Sequence, residues 1–388
     1  MLFFLFWASV FFVLYTYLGY PLLIALAARF TRNHPPALVF DLPVTLLITA
    51  YNEENVIGKK IENSLSLDYP ADKLQIIVAA DGSTDQTPEI VKQFKEHGVV
   101  LAFTPQRDGK MAAINRAIPL AHGDIIVFSD ANNMYETDAI RKLVAPFSDA
   151  KVGATTGAKL IIQDGGNLSG AEGIYWKYES WIKKNETALG TCTSSVGEIL
   201  AVRRALYNPP PNNIINDDYY MVLDLIRRGF RVHYVPEARS LEYISATTRD
   251  EMVRRSRMNA GKYQAISLSF NLLPFNKPLV IWQIISHKYC RAFLPFGFIG
   301  ALLANLLIVL FQSNSPSSFF YWVLLLLQIA FYGAAVVGNR VKFQGFLGKI
   351  LYLPTYLVNS NVAILRGFYG YMTKKQTNIW ERVRRDNV

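Results

Sequence analysis

Only two cysteines, Cys192 and Cys290, occur in 388 residues. Two cannot build a disulfide framework, and neither sits in a CxxC or Cys/His spacing. A structural zinc site is therefore excluded and a reducing compartment is expected. Charge is scarce as well: 18% of the side chains are Asp, Glu, Lys or Arg, where an average soluble chain has roughly a quarter. Acidic residues are the rarer sign, 30 against 40 basic, which gives a formal net charge of +10 and excludes an acidic disordered chain. No GxxxxGK[ST] is present and no GxGxxG follows a strand-like run, so neither a P-loop nor a Rossmann cofactor site is expected. No repeat of the solenoid kind is visible. The length corresponds to roughly two or three structural units.

What is abundant is apolar surface, 51% of the residues. Residues 1–28 contain no charged side chain and are followed by Arg29 and Arg32, long enough for a transmembrane anchor. Ala25-Leu26-Ala27 resembles a signal-peptide cleavage box. The apolar run, however, exceeds an h-region of about 7–15 residues and no basic n-region precedes it. Two further spans are expected within 292–338, at residues 292–311 and 318–338, joined by an uncharged loop, 312–317. Lys288, Arg291, Arg340 and Lys342 border them, which places residues 30–290 and the C-terminus on the cytoplasmic side. Residues 346–372 carry Pro354, Asn359, Ser360, Asn361 and Arg366, all costly in lipid. If this stretch crossed, the tail (373–388) would lie outside; from Lys374 onward it has five basic and two acidic side chains. An interfacial or re-entrant helix is expected instead. The segment 270–291 reads as an amphipathic helix on the membrane surface, the alternative being packing on the soluble domain.

Between about Pro43 and Pro236, short apolar runs alternate with helical patterns. Strands are expected at 44–48, 74–79, 99–103 and 124–128, with helices over 53–67, 87–96 and 110–121. That alternation predicts an α/β domain of parallel strands covered on both faces. Ligands bind outside the carboxyl ends of such strands. Three polar clusters fall there: Ala50-Tyr51-Asn52-Glu53, Asp81-Gly82-Ser83-Thr84-Asp85, and Ser129-Asp130-Ala131-Asn132. Each taken alone is also an ordinary turn or helix cap. Converging, they form a nucleotide-sized site.

Read together with Gly109-Lys110, Asn115, Gly197, Arg203-Arg204 and Asn216-Asp217-Asp218, these clusters resemble the family 2 inverting glycosyltransferases of GT-A fold. The similarity is to the membrane-anchored branch of cellulose, hyaluronan and poly-N-acetylglucosamine synthases, over about residues 41–265. It implies a GT-A (nucleotide-diphospho-sugar transferase) domain at 30–268. In that domain Ala50, Tyr51, Glu53, Asp81 and Lys110 bind the nucleotide-sugar. Asp130 corresponds to the first acid of the metal-binding DxD motif. The cofactor implied is a divalent metal, Mg²⁺ or Mn²⁺, which prefers oxygen ligands. Here the motif reads Asp-Ala-Asn, so Asn132 offers a neutral amide oxygen. Ala80 likewise stands where relatives often have a second aspartate. Gly197, Glu198 and Asp217 fall on the acceptor side and Asp218 at the general base. The branch usually carries a Gln-x-x-Arg-Trp motif; Arg257 matches its arginine and Arg254 takes the glutamine position, both guanidinium groups suited to a diphosphate. Its tryptophan is replaced by Met258, which speaks against long processive polymerisation.

The implied partners are a nucleotide-sugar donor (UDP-linked by expectation), a saccharide or lipid acceptor, membrane lipids, and other biosynthesis or export subunits. The implied location is a bacterial inner (plasma) membrane with the catalytic domain cytoplasmic. The alternative reading is a non-catalytic membrane scaffold that keeps the nucleotide fold. A nucleic-acid binder is not expected, because the basic residues cluster at membrane borders rather than interleaving with exposed aromatics.

Overall fold

The computed structural model describes residues 1–31, 41–162, 170–243, 248–311, 318–341 and 345–374. Arg32, the loop 312–317, Lys342 and most of the tail, 375–388, lie outside the described residues. The first helix, α1 (Leu2–Ala28), is followed by strand β1 (Val44–Ala50) and helix α2 (Ile57–Leu65). Next come β2 (Leu74–Asp81), α3 (Thr87–Gln93), β3 (Val100–Thr104), α4 (Lys110–Ala117), β4 (Ile125–Asp130), β5 (Asn133–Tyr135) and α5 (Ala139–Val144). The order continues with β6 (Val152–Ile162), α6 (Gly170–Ala188), β7 (Leu200–Arg203), α7 (Asp217–Arg227) and β8 (Arg231–Tyr243).

Side chains alternate across each strand with a period of two. Leu46 and Ile48 therefore enter one core, with Ile57 and Ile61 of α2 and Ile140 and Leu143 of α5. Leu47 enters the other, with Ile114 of α4 and Val222 and Ile226 of α7. Fully burying one such aliphatic side chain is worth about 1.5–3 kcal/mol, so a strand buried on both faces needs no polar side. The eight strands run in the order β3-β2-β1-β4-β7-β6-β8-β5. The half β3-β2-β1-β4 is parallel, as expected. Beyond it the sheet is mixed, since β7 is antiparallel to both β4 and β6, and β5 to β8. The strand order reverses between β1 and β4, and ligands bind at such a switch point in open α/β sheets.

Two compact units divide the chain: a sheet unit (Ile24–Glu251 with Ser267–Trp282) and a helical unit (Met1–Leu23, Met252–Ile266, Gln283–Gln376). The helical unit takes in most of α8 (Thr248–Ser267), α9 (Pro278–Phe311), α10 (Ser318–Arg340) and α11 (Gly345–Met372). Among the described residues three helices, α1, α9 and α10, are long and apolar enough to cross a membrane. A Cβ on Gly297 would sit 2.9 Å from Phe12 and one on Gly300 2.8 Å from Ser9 Oγ. Helices α1 and α9 thus approach through small residues, as membrane helices do.

The expected surface helix at 270–291 does not form as one element. Ser269–Leu272 makes a single turn, and residues 278–291 are the opening turns of α9. Pro278 starts that helix, where a missing N–H costs nothing. Its polar residues are accommodated against α1: Ser286 Oγ lies 2.7 Å from Tyr15 OH, and His287 stacks on Tyr20. Helix α11 is continuous through Pro354. Its Asn359 exchanges amide hydrogen bonds of 2.8 and 3.0 Å with Asn339 of α10.

Candidate active site

The parallel register sets the ends of β1, β2 and β4, and with them the three polar clusters, side by side in the sheet unit. After Ala50, Tyr51 lies under the Arg107 guanidinium, 3.7 Å from its ring centroid. Asn52 takes a left-handed conformation (φ 53°), which Asn tolerates better than most residues. Its amide N–H donates to Ser83 Oγ, and its side-chain oxygen accepts from the Thr84 N–H. The N–H of Glu53 donates to Thr87 Oγ1, while its carbonyl accepts from Val56 and Ile57 at the start of α2. Gly82 (φ +63°) has no substitute, since a Cβ there would lie within 2.9 Å of three Arg107 atoms. Asp81, 5% exposed, accepts from the backbone N–H groups of Asp108 (3.2 Å) and Gly109 (2.7 Å) and from Arg116 (2.9 Å). It fixes the loop that delivers Lys110.

Lys110 is the hub. Its ammonium lies 2.7 Å from Asp130 Oδ1 and 4.0 Å from Asp217 Oδ2. Burial works against its charge, but Asp130, Asp217 and Asp218 together hold its pKa above the ordinary lysine value. Burial opposes the Asp130 charge too, yet Lys110 and the Thr49 hydroxyl (3.1 Å) pull that carboxyl below its usual range. Asp217 shifts the other way. Its burial, with repulsion from Asp218 and Asp130, outweighs Lys110 and raises its pKa. Asp217 and Asp218 open α7, where the dipole favours acidic groups. Asp218 is more exposed than Asp217 and accepts a 2.9 Å hydrogen bond from Ser195 Oγ. Gly197 packs directly on it, a Cβ there lying 3.1 Å from the Asp218 Cγ.

The matching family model, described as glycosyltransferase like family 2, covers residues 42–263, more than half of the chain. The chain belongs to this family. Among curated relatives of this family 2 member is a beta-monoglucosyldiacylglycerol synthase of a Nostoc species, 32% identical over 205 residues, 51% of this chain and 44% of that one. Another is a poly-beta-1,6-N-acetyl-D-glucosamine synthase of Staphylococcus aureus, 27% identical over 250 residues, 62% of this chain and 60% of that one. The chain thus spans about half the length of the curated relatives it matches. A mannosyltransferase structure from Pyrobaculum calidifontis, in complex with GDP-Man and Mn²⁺, superposes with a TM-score of 0.72. It is 21% identical and covers 95% of this chain and 99% of its own, a likeness of fold.

Among the described residues no cluster of three or more His, Cys, Asp or Glu could cage a metal alone. The donors on offer are one carboxylate, Asp130, and the amide oxygen of Asn132, whose amide nitrogen is committed to Glu242 at 2.8 Å. Two hard oxygens suit an ion that completes its shell with diphosphate oxygens and water.

The acceptor-side residue Glu198 is drawn inward. Its carboxylate pairs with Lys159 at 3.0 Å, and its carbonyl accepts from Asn133 Nδ2 and Tyr135 OH. Asn115 accepts from Tyr207 OH, and Arg203 and Arg204 latch onto backbone carbonyls at Val152 and Gly123. Arg254 and Arg257 belong to α8, in the helical unit.

Lys60, Arg107, Arg116, Lys159, Ser195 and Glu242 escaped the sequence reading. One of them left a signal: Lys60 falls on the apolar stripe of α2 with Ile57, Ile61 and Ser64, spaced as a buried helix face.

Proposed function

We propose that this family 2 member is an inverting glycosyltransferase, moving a sugar from a nucleotide-sugar to a saccharide or lipid acceptor at a membrane. The observation that carries the reading is the pair of unlike carboxylates opening α7, opposite Asp130 and bridged to it by Lys110. In a single displacement the acceptor hydroxyl attacks the anomeric carbon as the bond to the diphosphate oxygen breaks, so inversion follows. Asp218 takes the hydroxyl proton, a role that requires an ionised, reachable carboxylate. Ser195 orients that carboxylate. Lys110 meets the charge of the leaving nucleoside diphosphate, and the Tyr51–Arg107 stack borders the base. Bound by Asp130 and Asn132, a divalent ion would neutralise the diphosphate as it departs.

Both relatives carry beta linkages in their names, one to diacylglycerol and one in a polysaccharide. A lipid or short saccharide acceptor fits this chain better than a long polymer, because Met258 stands in place of the motif tryptophan. Basic residues bordering the spans favour a cytoplasmic sheet unit at a bacterial plasma membrane. The test is nucleoside diphosphate release by the full chain in detergent, with Mn²⁺ and a panel of UDP- and GDP-sugars, with and without diacylglycerol or a short oligosaccharide. Acceptor-dependent release from one donor is expected. Folded protein that releases nothing with any donor returns the scaffold reading.

A further inference from the structure

Glu242 near the end of β8 is 7% exposed and lies opposite Asn133 in the β5–β8 ladder. Its Oε1 accepts the Asn132 side-chain N–H at 2.8 Å. Its other oxygen pairs with Lys159, which is 4% exposed and also bound to Glu198. Glu198 is tied in turn to Ser240 Oγ at 3.2 Å. An ionised carboxylate only accepts hydrogen bonds. Glu242 therefore dictates which end of the Asn132 amide faces it. The nitrogen must face Glu242, and the carbonyl oxygen must face away. Among the described residues Asn132 Oδ1 and Asp130 Oδ2 accept no hydrogen bond.

We infer that Glu242, held by Lys159, is a positioning residue that turns the Asn132 carbonyl oxygen toward the divalent-metal site and selects an amide over a carboxylate at position 132. The inference rests on the glycosyltransferase reading. It explains the departure from a two-acid motif. An aspartate at 132 would set its charge within hydrogen-bonding distance of the buried Glu242, where like charges disfavour each other's ionised forms. An asparagine converts that repulsion into a bond. Partners behind a metal ligand typically change metal affinity by about 10–100-fold.

The test is a double-mutant cycle on Mn²⁺ binding, read as loss of the free Mn²⁺ paramagnetic resonance signal. It uses the full chain in detergent with UDP, and separately GDP, without acceptor, so no turnover is involved. Glu242→Gln should weaken Mn²⁺ binding about tenfold, because glutamine leaves the Asn132 amide free to turn. Asn132→Asp should weaken binding in the parent and tighten it in the Glu242→Gln background. That reversal of sign is something a merely structural role would not produce. Tighter binding by Asn132→Asp in the parent overturns the inference, and this single variant decides it even where Glu242→Gln does not fold. Unchanged affinity in all variants of a parent that binds Mn²⁺ overturns it as well. A folded parent that binds no Mn²⁺ with either nucleotide overturns the functional reading, and the inference with it.

Discussion

Lys60 offers the sharpest test of the energetics beneath the site. Its side chain is fully buried, its ammonium nitrogen has no hydrogen-bond partner among the described residues, and it lies 4.1 Å from the centroid of the Tyr135 ring. Burial lowers its pKa from 10.5 to about 7, against the pull of Asp130 and Glu198. At about 1.4 kcal/mol per pH unit, that displacement corresponds to about 5 kcal/mol, an upper bound. The unfolded chain keeps this proton up to pH 10.5 while the folded chain releases it near 7. Between those values the unfolded state binds more protons, so unfolding free energy rises with pH. The penalty is fully present below about pH 7 and gone above about 10.5. Lys60→Met keeps the volume and removes the charge. It should stabilise the protein by a few kcal/mol near pH 7, with the advantage shrinking toward zero by about pH 10. Melting of parent and variant in the same detergent across that range, followed by tryptophan fluorescence, measures the difference. A variant less stable than the parent near pH 7, or a difference independent of pH, would refute the account.

Three further outcomes follow from the same geometry. Asp218→Asn should leave nucleotide binding intact and lower turnover by about 10²–10⁴, the usual worth of a positioned base; near-normal turnover would move the role elsewhere, Asp217 first. Lys110→Met should weaken nucleoside diphosphate binding about tenfold or more, the scale of a lost hydrogen bond to a charged group; calorimetry with UDP or GDP measures it, and unchanged affinity would remove Lys110 from the donor site. Gly367→Leu should lower the melting temperature of the full chain, because even a Cβ at 367 meets Asn259 Cβ and the backbone Ser256 O at 2.7 Å and Ala260 N at 2.9 Å, atoms fixed by the α8 backbone that cannot turn aside. Such overpacking costs about 1–3 kcal/mol.

The parallel half of the sheet was legible because its strands are buried on both faces. Runs such as Val44-Thr45-Leu46-Leu47-Ile48 have no polar face to blur them. The antiparallel half was not, since β7 is only four residues long and pairing direction leaves no trace in a run that short. Membrane helices announced themselves through length and missing charge, but the start of α9 did not. Ser286 and His287 look like surface residues until α1 supplies their neighbourhood. Within the site, residues at strand ends were readable, because a polar cluster after an apolar run is a local pattern. Glu242 and Lys159 were not, because their role depends on the β5–β8 and β6–β8 pairings, which join residues about a hundred positions apart.

Asp217 and Asp218 show how far environment, rather than residue type, assigns a role. They are identical side chains at consecutive positions of one helix start, so propensity and helix dipole treat them alike. A helix turns about 100° per residue, which sends one inward to Lys110 and the other toward Ser195. The inward carboxyl is 9% exposed, and its burial, with the nearby Asp218 and Asp130 charges, raises its pKa. The outward carboxylate is the more exposed of the two and is oriented by the Ser195 hydroxyl. A carboxylate that an acceptor can reach and that a hydroxyl holds in place is the better placed of the two for base duty. On that ground the proposed mechanism gives the acceptor's proton to Asp218, and leaves Asp217 to hold Lys110 beside Asp130.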